Sequence, residues 1–406
     1  MRTALLAADR TCSQGNLRAS LMLAGEPLIL WQMRLAQELR CGRLIVLTDA
    51  ADETFAEVER ACRAGGMAFH RLARFAGLAA LLHVDDELLL LGDGLLAERA
   101  ALAALLAPEG PDKPLRKLVL CLPDDDARTG QFPEDFERID AARCWAGVAV
   151  MRAAPVQQLG DFPPDSNPVS LLLRMALQAG TPCHTLAPSE RDPAQWLLAH
   201  EAEVIADHER MLIAQHGNPV RWSAPGRALS AWFAARIGGR GLAGGEPAAS
   251  IAGLALLIMA VASALTGWGL TTLVCAVLGS FALDLGQDIA RLRLGLRGGA
   301  PAAMLARLHD PGRDGLAMLA IMAALGSPAL AALAPLAIGT ARLAARDTSP
   351  GAAAFWQDRT VQLAVLMLGA ALGWLAEATA LLALGALAQA LFARPARPIP
   401  AQSLPK

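Results

Sequence analysis

The sequence predicts two fold classes in one chain: a soluble α/β domain followed by an all-α transmembrane domain of six helices. Three observations carry this. The 406 residues exceed one ordinary domain and suffice for two. Apolar residues make up 54% of the chain, and the excess is concentrated in 246–393, while charge is scattered through 1–245. Short apolar runs in the first half alternate with helical patterns, which implies a mostly parallel, Rossmann-like sheet. The expected organisation is an α/β domain over 1–217, an amphipathic interfacial helix and linker over 218–245, a membrane domain over 246–396 and a tail over 397–406.

In chain order, residues 2–8 read as a buried first strand. Residues 28–40 form a helix with Leu28, Trp31, Leu35 and Leu39 on one stripe. Residues 44–48 (Leu-Ile-Val-Leu-Thr) are a second strand. Leu88–Leu91 is another, ending in the acidic turn Gly92-Asp93-Gly94. Residues 118–122 and 146–151 are further strands. A site on such a sheet belongs at the strand ends. Asp124-Asp125-Asp126 reads as a solvated turn. His200, His208 and His216 recur every eight residues and lack the i, i+4 geometry of a zinc pair.

Pro225–Arg240 alternates Arg227, Arg236 and Arg240 with Leu229, Trp232, Phe233 and Ile237, the pattern of a helix lying on a membrane surface or of a plain linker helix. Gly238-Gly239-Arg240-Gly241 reads as a flexible linker. Six membrane segments follow at approximately 249–265, 270–286, 301–325, 328–344, 360–373 and 375–393. Arg291, Arg293, Arg297, Arg307 and Arg313 lie between the second and third. Arg342, Arg346 and Arg359 lie around the fourth-to-fifth connection, and Arg394, Arg397 and Lys406 in the tail. The opposite connections carry no Lys or Arg, so the positive loops share one side with the N-terminal domain. Trp268 and Trp374 mark the far interface. The expected location is the inner (cytoplasmic) membrane, multi-pass, with the N-terminal domain cytoplasmic.

A formal net charge of −2 gives no hint of nucleic-acid binding. The seven cysteines include no C-x-x-C pair, which argues against a disulfide framework or structural zinc and fits a reducing compartment. The apolar stretch 4–8 is too short for a signal peptide, and Asp9 and Arg10 follow it.

Two pairs of aspartates sit in the apolar half. Asp284 and Asp288 end the second segment, and Asp310 and Asp314 precede the core of the third, each pair spaced i, i+4 on one helix face. Carboxylates near lipid are costly and ordinarily face a cavity, a partner or an ion, so two facing pairs point to a divalent metal. Ion pairs with the neighbouring arginines are the other open reading.

The stretches Leu283-Asp284-Leu285-Gly286-Gln287-Asp288-Ile289-Ala290-Arg291 and Ala306-Arg307-Leu308-His309-Asp310-Pro311-Gly312-Arg313-Asp314 resemble the signature of CDP-alcohol phosphotransferases, D-x-x-D-G-x-x-A-R and G-x-x-x-D-x-x-x-D. The resemblance implies Mg²⁺ or Mn²⁺ on Asp284, Asp288, Asp310 and Asp314, a CDP-alcohol as ligand, and catalytic roles for Asp314 as base and for Arg291. The first pair here is spaced four rather than three, and Pro311 falls between the last two carboxylates.

Leu6-Ala7-Ala8-Asp9-Arg10, Asn16-Leu17-Arg18-Ala19 and Ala24-Gly25-Glu26-Pro27-Leu28-Ile29 resemble the opening of MobA-like and sugar-phosphate nucleotidyltransferases, and Trp145-Ala146-Gly147-Val148 resembles one of their later strands. That resemblance covers about 1–200. It implies a nucleotide such as CTP at Ala8, Asp9, Arg10, Arg18 and Asp93, with Asp93 on the metal. Asp9 stands where the family has its first loop glycine, and Arg18 where it has a lysine. The order of the two halves resembles bifunctional inositol-phosphate cytidylyltransferase/di-inositol-phosphate-phosphate synthases. It implies a transferase that makes a CDP-alcohol and passes the phosphoryl-alcohol group to a second alcohol or lipid with release of CMP. The alternative is a degenerate membrane scaffold or regulator of polar-lipid synthesis. The expected partners are the lipid bilayer, a nucleotide and, as a homodimer, a second copy.

Overall fold

A computed structural model describes residues 1–107, 114–163, 166–192, 195–216, 222–297, 303–346 and 350–392. Arg394, Arg397, Lys406 and the expected tail lie outside these residues, as do the side chains of Arg240, Arg297 and Arg307. The chain divides into two units, Met1–Leu212 and Ile213–Lys406.

The first unit is built on seven strands: β1 (Arg2–Ala7), β2 (Arg43–Leu47), β3 (Ala68–Leu72), β4 (Glu87–Leu91), β5 (Leu118–Pro123), β6 (Arg143–Arg152) and β7 (Cys183–Thr185). Their order is β7-β5-β6-β4-β1-β2-β3. All neighbours are parallel except that β6 runs antiparallel to both β4 and β5. Leu5, Leu44, Ile45 and Leu88 to Leu91 are fully buried, because a central strand covered on both faces is apolar at every position. The larger helices here are α1 (Leu28–Glu38), α2 (Thr54–Ala64), α3 (Arg99–Leu106), α4 (Pro168–Gln178) and α5 (Ala202–His216). Two apolar clusters, one on each face of the sheet, complete the core.

Two strands of this seven-stranded sheet were not expected. β3 reads Ala-Phe-His-Arg-Leu and β7 reads Cys-His-Thr, each mixing polar residues with apolar ones. Both lie at sheet edges, where one side stays wet and the apolar run that marks a central strand is not needed. The Asp124–Asp126 turn is more than a solvated tip. Asp126 caps the helical turn Ala127–Gln131 and pairs with Arg128 and Arg191, while Asp124 pairs with Arg138.

The second unit is helical: α6 (Pro225–Leu265), α7 (Gly269–Arg297), α8 (Ala303–Ala324), α9 (Leu333–Ala344), α10 (Pro350–Gln357), α11 (Arg359–Ala371) and α12 (Leu375–Phe392). Three stretches are long and apolar enough to cross a membrane: Gly245–Leu265, Gly269–Leu296 and Leu375–Phe392. Pro328–Ala344 and Arg359–Ala371 are shorter apolar helices. Exposed apolar side chains, including Ile251, Ile258, Leu381 and Leu391, stud the outside, as expected where hydrocarbon is the solvent.

α6 corrects one expectation. The chain is helical straight through Gly238–Gly241, so the expected linker is not a break. α6 packs along α7 through small residues. A Cβ at Gly253 would stand 2.9 Å from the Gly279 carbonyl oxygen, and one at Gly279 would stand 2.9 Å from that of Gly253. Only glycine permits this backbone approach, the usual device for joining helices in lipid.

Candidate functional site

The crevice of the first unit lies at the carboxyl end of β1 and β4, where an α/β sheet places its ligands. β1 ends at Ala7 and the loop turns back through Arg18, which donates its N–H to the Arg10 carbonyl. β4 ends at Leu91, and Asp93 is carried into the crevice by the following turn. The Arg10 N–H donates to Asp93 Oδ2 at 3.0 Å, whereas Asp93 Oδ1 is buried with no partner among the described residues. Burial pushes the Asp93 carboxyl up to about 7, against the Arg10 N–H, and the nearby Asp9 charge adds to the rise. Asp9, Arg10, Asp93, Asp135 and Glu137 line the crevice, whose free volume is about 30 Å³, the size of one water.

The two arginines expected to take phosphate both turn to Asp135. Arg10 Nη1 donates to Asp135 Oδ1 at 3.0 Å, and Arg18 Nη1 donates to the same oxygen at 2.5 Å. His200 Nδ1 stands 4.0 Å from Asp135 Oδ2. Ala8 is buried in the strand-end core. The sequence reading did not single out Asp135, which sits in a Phe-Pro-Glu-Asp-Phe loop far along the chain from its partners.

In the helical unit, the structure brings Asp284, Asp310 and Asp314 toward arginines. Arg313 Nη1 donates to Asp284 Oδ1 at 2.5 Å, and its Nη2 lies 3.7 Å from Asp310 Oδ1. Arg359 grips Asp314 with two bonds, Nε to Oδ1 at 2.8 Å and Nη2 to Oδ2 at 3.0 Å, and Arg342 Nε adds a third at 2.5 Å. Asp288 turns elsewhere: it accepts from Ser230 Oγ at 2.5 Å and from Arg291 Nη1 at 3.2 Å. The half-exposed Arg291 thus pairs within its own helix. Pro311 does not break α8, which is helical on both sides of it.

Arg227, Arg313, Arg342, Arg346 and Arg359 line a cavity of about 420 Å³ together with Asp310 and Asp314. Arg313, Arg342 and Arg359 are held by Asp284 and Asp314, and Arg227 and Arg346 leave the lining with an excess of positive charge that suits an anion. The sequence presents Arg313, Arg342, Arg346 and Arg359 as loop charge and Arg227 as part of an amphipathic helix. A signal for a site is present at three of them, Arg313, Arg346 and Arg359, each next to an aspartate in the sequence.

No family model matches the chain. No curated protein matches it either. Among solved structures, it is similar to a UDP-glucose pyrophosphorylase complexed with UDP-glucose, at 11% identity and a TM-score of 0.35, over 53% of this chain and 99% of that one. It is also similar to the inositol-1-phosphate CTP transferase from T. maritima, at 12% identity and a TM-score of 0.35, over 52% of this chain and 96% of that one.

The two regions differ as metal sites. In the crevice, the unpartnered Asp93 oxygen fits Mg²⁺, which is commonly held by one or two carboxylates plus substrate phosphate. In the helical unit the donor set does not fit a divalent ion. Asp284, Asp288 and Asp314 each already hold a guanidinium, and among the described residues no group of three metal-binding side chains converges. Ion pairs, the other reading the sequence left open, are what Asp284, Asp288 and Asp314 make.

Proposed function

We propose that the chain is a multi-pass membrane protein that binds a phosphorylated polar ligand in the arginine-lined cavity of its helical unit, as a non-catalytic binder or regulator in polar-lipid chemistry. The observation that carries this reading is the cavity itself. It is lined by five arginines over about 420 Å³, within the range of small-ligand sites, and its one buried aspartate, Asp314, is already paired with Arg342 and Arg359. Guanidinium forks supply the bidentate donors a phosphate monoester or diphosphate needs. Lipid phosphate, a phospho-alcohol and a nucleotide share that chemistry. In this reading all six apolar segments cross the membrane, with the arginine cavity on the positively charged side.

The test uses the full chain in lipid nanodiscs. Binding of inorganic pyrophosphate is measured by calorimetry with and without EDTA, and CMP release is assayed from a CDP-alcohol with Mg²⁺ or Mn²⁺. The reading expects binding that survives EDTA, falls on Arg346→Gln and is accompanied by no CMP. Metal-dependent CMP release that is lost in Asp314→Asn would overturn it in favour of a phosphotransferase.

A second reading concerns the soluble unit and is favoured by one atom, the unpartnered Asp93 Oδ1. There the unit is a nucleotidyltransferase in which Asp93 holds Mg²⁺, an ion that would neutralise the nucleotide phosphates. Arg10 would fix the Asp93 carboxylate through its backbone N–H. CTP-dependent pyrophosphate release, lost in Asp93→Asn, is its test.

A further inference from the structure

α6 is helical without a break, yet it is bent. Ser230 Oγ donates to Asp288 Oδ2 at 2.5 Å, and a Cβ added at Gly286 would stand 2.7 Å from Ser250 Oγ. Ser230 and Ser250 therefore border the same turn of α7. As a straight helix the segment between them would span about 30 Å, farther than two side chains reach. Pro247 lies in that segment and has no N–H to give the preceding turn. The arm before the bend, Pro225–Ile237, is built inside out. Its small residues Gly226, Ser230 and Ala234, spaced i, i+4, are buried. Its large apolar residues Leu229, Trp232, Phe233 and Ile237 run along an outward stripe and are between 40% and 45% exposed. Arg236 shares that stripe, its guanidinium carbon 5.2 Å from the centre of the Trp232 ring. Phe233 flanks it, with its ring 6.0 Å from that of Phe281 on α7. A linker helix in water would turn the large side chains inward, because apolar area is what burial stabilises.

We propose that this arm lies in the plane of the bilayer surface, with its outward stripe seated among phospholipid headgroups and the first acyl carbons, and that this seating holds Arg227 at the anion cavity. The occupant follows from what stands next to the arm. Beyond Ile237, about 12 Å of helix leads to Gly245, where α6 becomes apolar enough to cross a membrane. The headgroup layer is thus within reach of the stripe. Its phosphates complement Arg236, and Trp232 stands where amphipathic rings settle. The link to the cavity is short. Arg227 lies on the first turn of the arm and lines the cavity. The arm is pinned there by the Gly226 and Arg227 N–H groups on Asp358 and by Ser230 on Asp288. The coupling to Arg227 rests on the cavity reading above, whereas the seating of the stripe does not.

The experiment uses the full chain in nanodiscs of phosphatidylcholine and phosphatidylglycerol, with and without lipids brominated near the headgroup end of the acyl chain. The chain has eight tryptophans, so Trp232 emission is taken as the difference between wild type and Trp232→Phe. Seating predicts that bromolipid quenches this difference and that aqueous iodide does not. Quenching by iodide alone would place the stripe in water. Quenching by neither would mean that a second copy or another protein covers it. Both results overturn the proposal. Coupling is read by pyrophosphate titration of Leu229→Ser/Ile237→Ser, two side chains outside the cavity lining. Lifting the arm should weaken binding about tenfold, the scale of one hydrogen bond to a charged group, and adding Arg227→Gln should weaken it no further. Affinity equal to wild type overturns the coupling. Trp232→Phe keeps an aromatic ring, so the quenching remains informative if the serine variant fails to fold. Wild type that fails to bind pyrophosphate sinks the cavity reading and the coupling together, and the quenching still decides the seating.

Discussion

Asp358 holds Gly226 across the helical unit: its Oδ2 accepts the Gly226 N–H at 2.7 Å and the Arg227 N–H at 3.3 Å, while its Oδ1 accepts the Val361 N–H at 3.1 Å. One fully buried carboxylate therefore caps the starts of both α6 and α11. It satisfies N–H groups that helices otherwise leave bare. The next residue on each helix, Arg227 and Arg359, lines the anion cavity. The cap fixes where those two arginines stand.

Glycine at 226 is required by this cap. An added Cβ would lie 2.5 Å from Asp358 Oδ1 and 2.9 Å from Thr360 Cβ. Gly226→Ala is expected to lower stability by about 2 kcal/mol, the upper end of a lost cap, and to weaken pyrophosphate binding with it. Asp358→Asn keeps the shape and the acceptor oxygen for one helix, so its loss should be smaller. Thermal unfolding in nanodiscs ranks the two. Equal midpoints for Gly226→Ala and wild type would show that the cap does not bear on stability.

The Asp314–Arg359 pair makes a second prediction. Both side chains are almost fully buried, and removing one partner from such a pair costs roughly 3–5 kcal/mol because the other charge is stranded. Arg342 also bonds Asp314 from a more exposed position, which places Arg359→Gln at the lower end of that range. The double variant Asp314→Asn/Arg359→Gln should recover most of the loss, since neither charge remains. Denaturant midpoints of the four members of the cycle give the coupling. Additive losses would mean that the two residues do not stabilise one another.

Asp93 predicts a pH dependence. Its folded carboxyl sits at about 7 because burial disfavours the charge, well above the ordinary 3.8. The folded state therefore binds its proton more tightly than the unfolded chain. That contribution is complete below about pH 4, is lost progressively as pH rises, and is gone above about pH 7. At ~1.4 kcal/mol per pKa unit the loss is ~4 kcal/mol. Asp93→Asn should flatten this slope. Urea midpoints of the soluble transition between pH 4.5 and 8 test it, and an unchanged slope in Asp93→Asn would assign the dependence to another group.

What could be read in the sequence follows from which interactions are local. β1, β2 and β4 announce themselves as runs such as Leu44-Ile45-Val46-Leu47 because both faces of a central strand are buried. β3 hides because an edge strand tolerates His70 and Arg71. The glycines at 238–241 look like a break, yet α6 continues through them with both of its flanks in helix. The positions of the aspartates were legible, and their partners were not. Arg342 and Arg359 lie 28 and 45 residues from Asp314, and Asp135 lies 117 from Arg18. Sequence spacing has no term for such meetings. It could pose metal site against ion pairs, and only the fold brings the guanidiniums in.

Topology supplies the last prediction. Trp268 and Trp374 are 67% and 63% exposed at turns that carry no Lys or Arg, as aromatic anchors at a membrane interface are. Arg342 and Arg346 stand at the other end of α9. If the positive connections share one side, a single cysteine at Thr266 or Ala371 should react with a membrane-impermeant maleimide from outside intact cells. One at Arg346 should react only after the membrane is opened. Six of the seven native cysteines are buried and Cys183 is partly so, which keeps their background low. Labelling of Thr266→Cys and Arg346→Cys from the same side would refute the six-crossing arrangement. The arginine cavity would then lack a membrane face of its own, and the lipid-side ligands would fall away first, leaving soluble phosphates as its occupants.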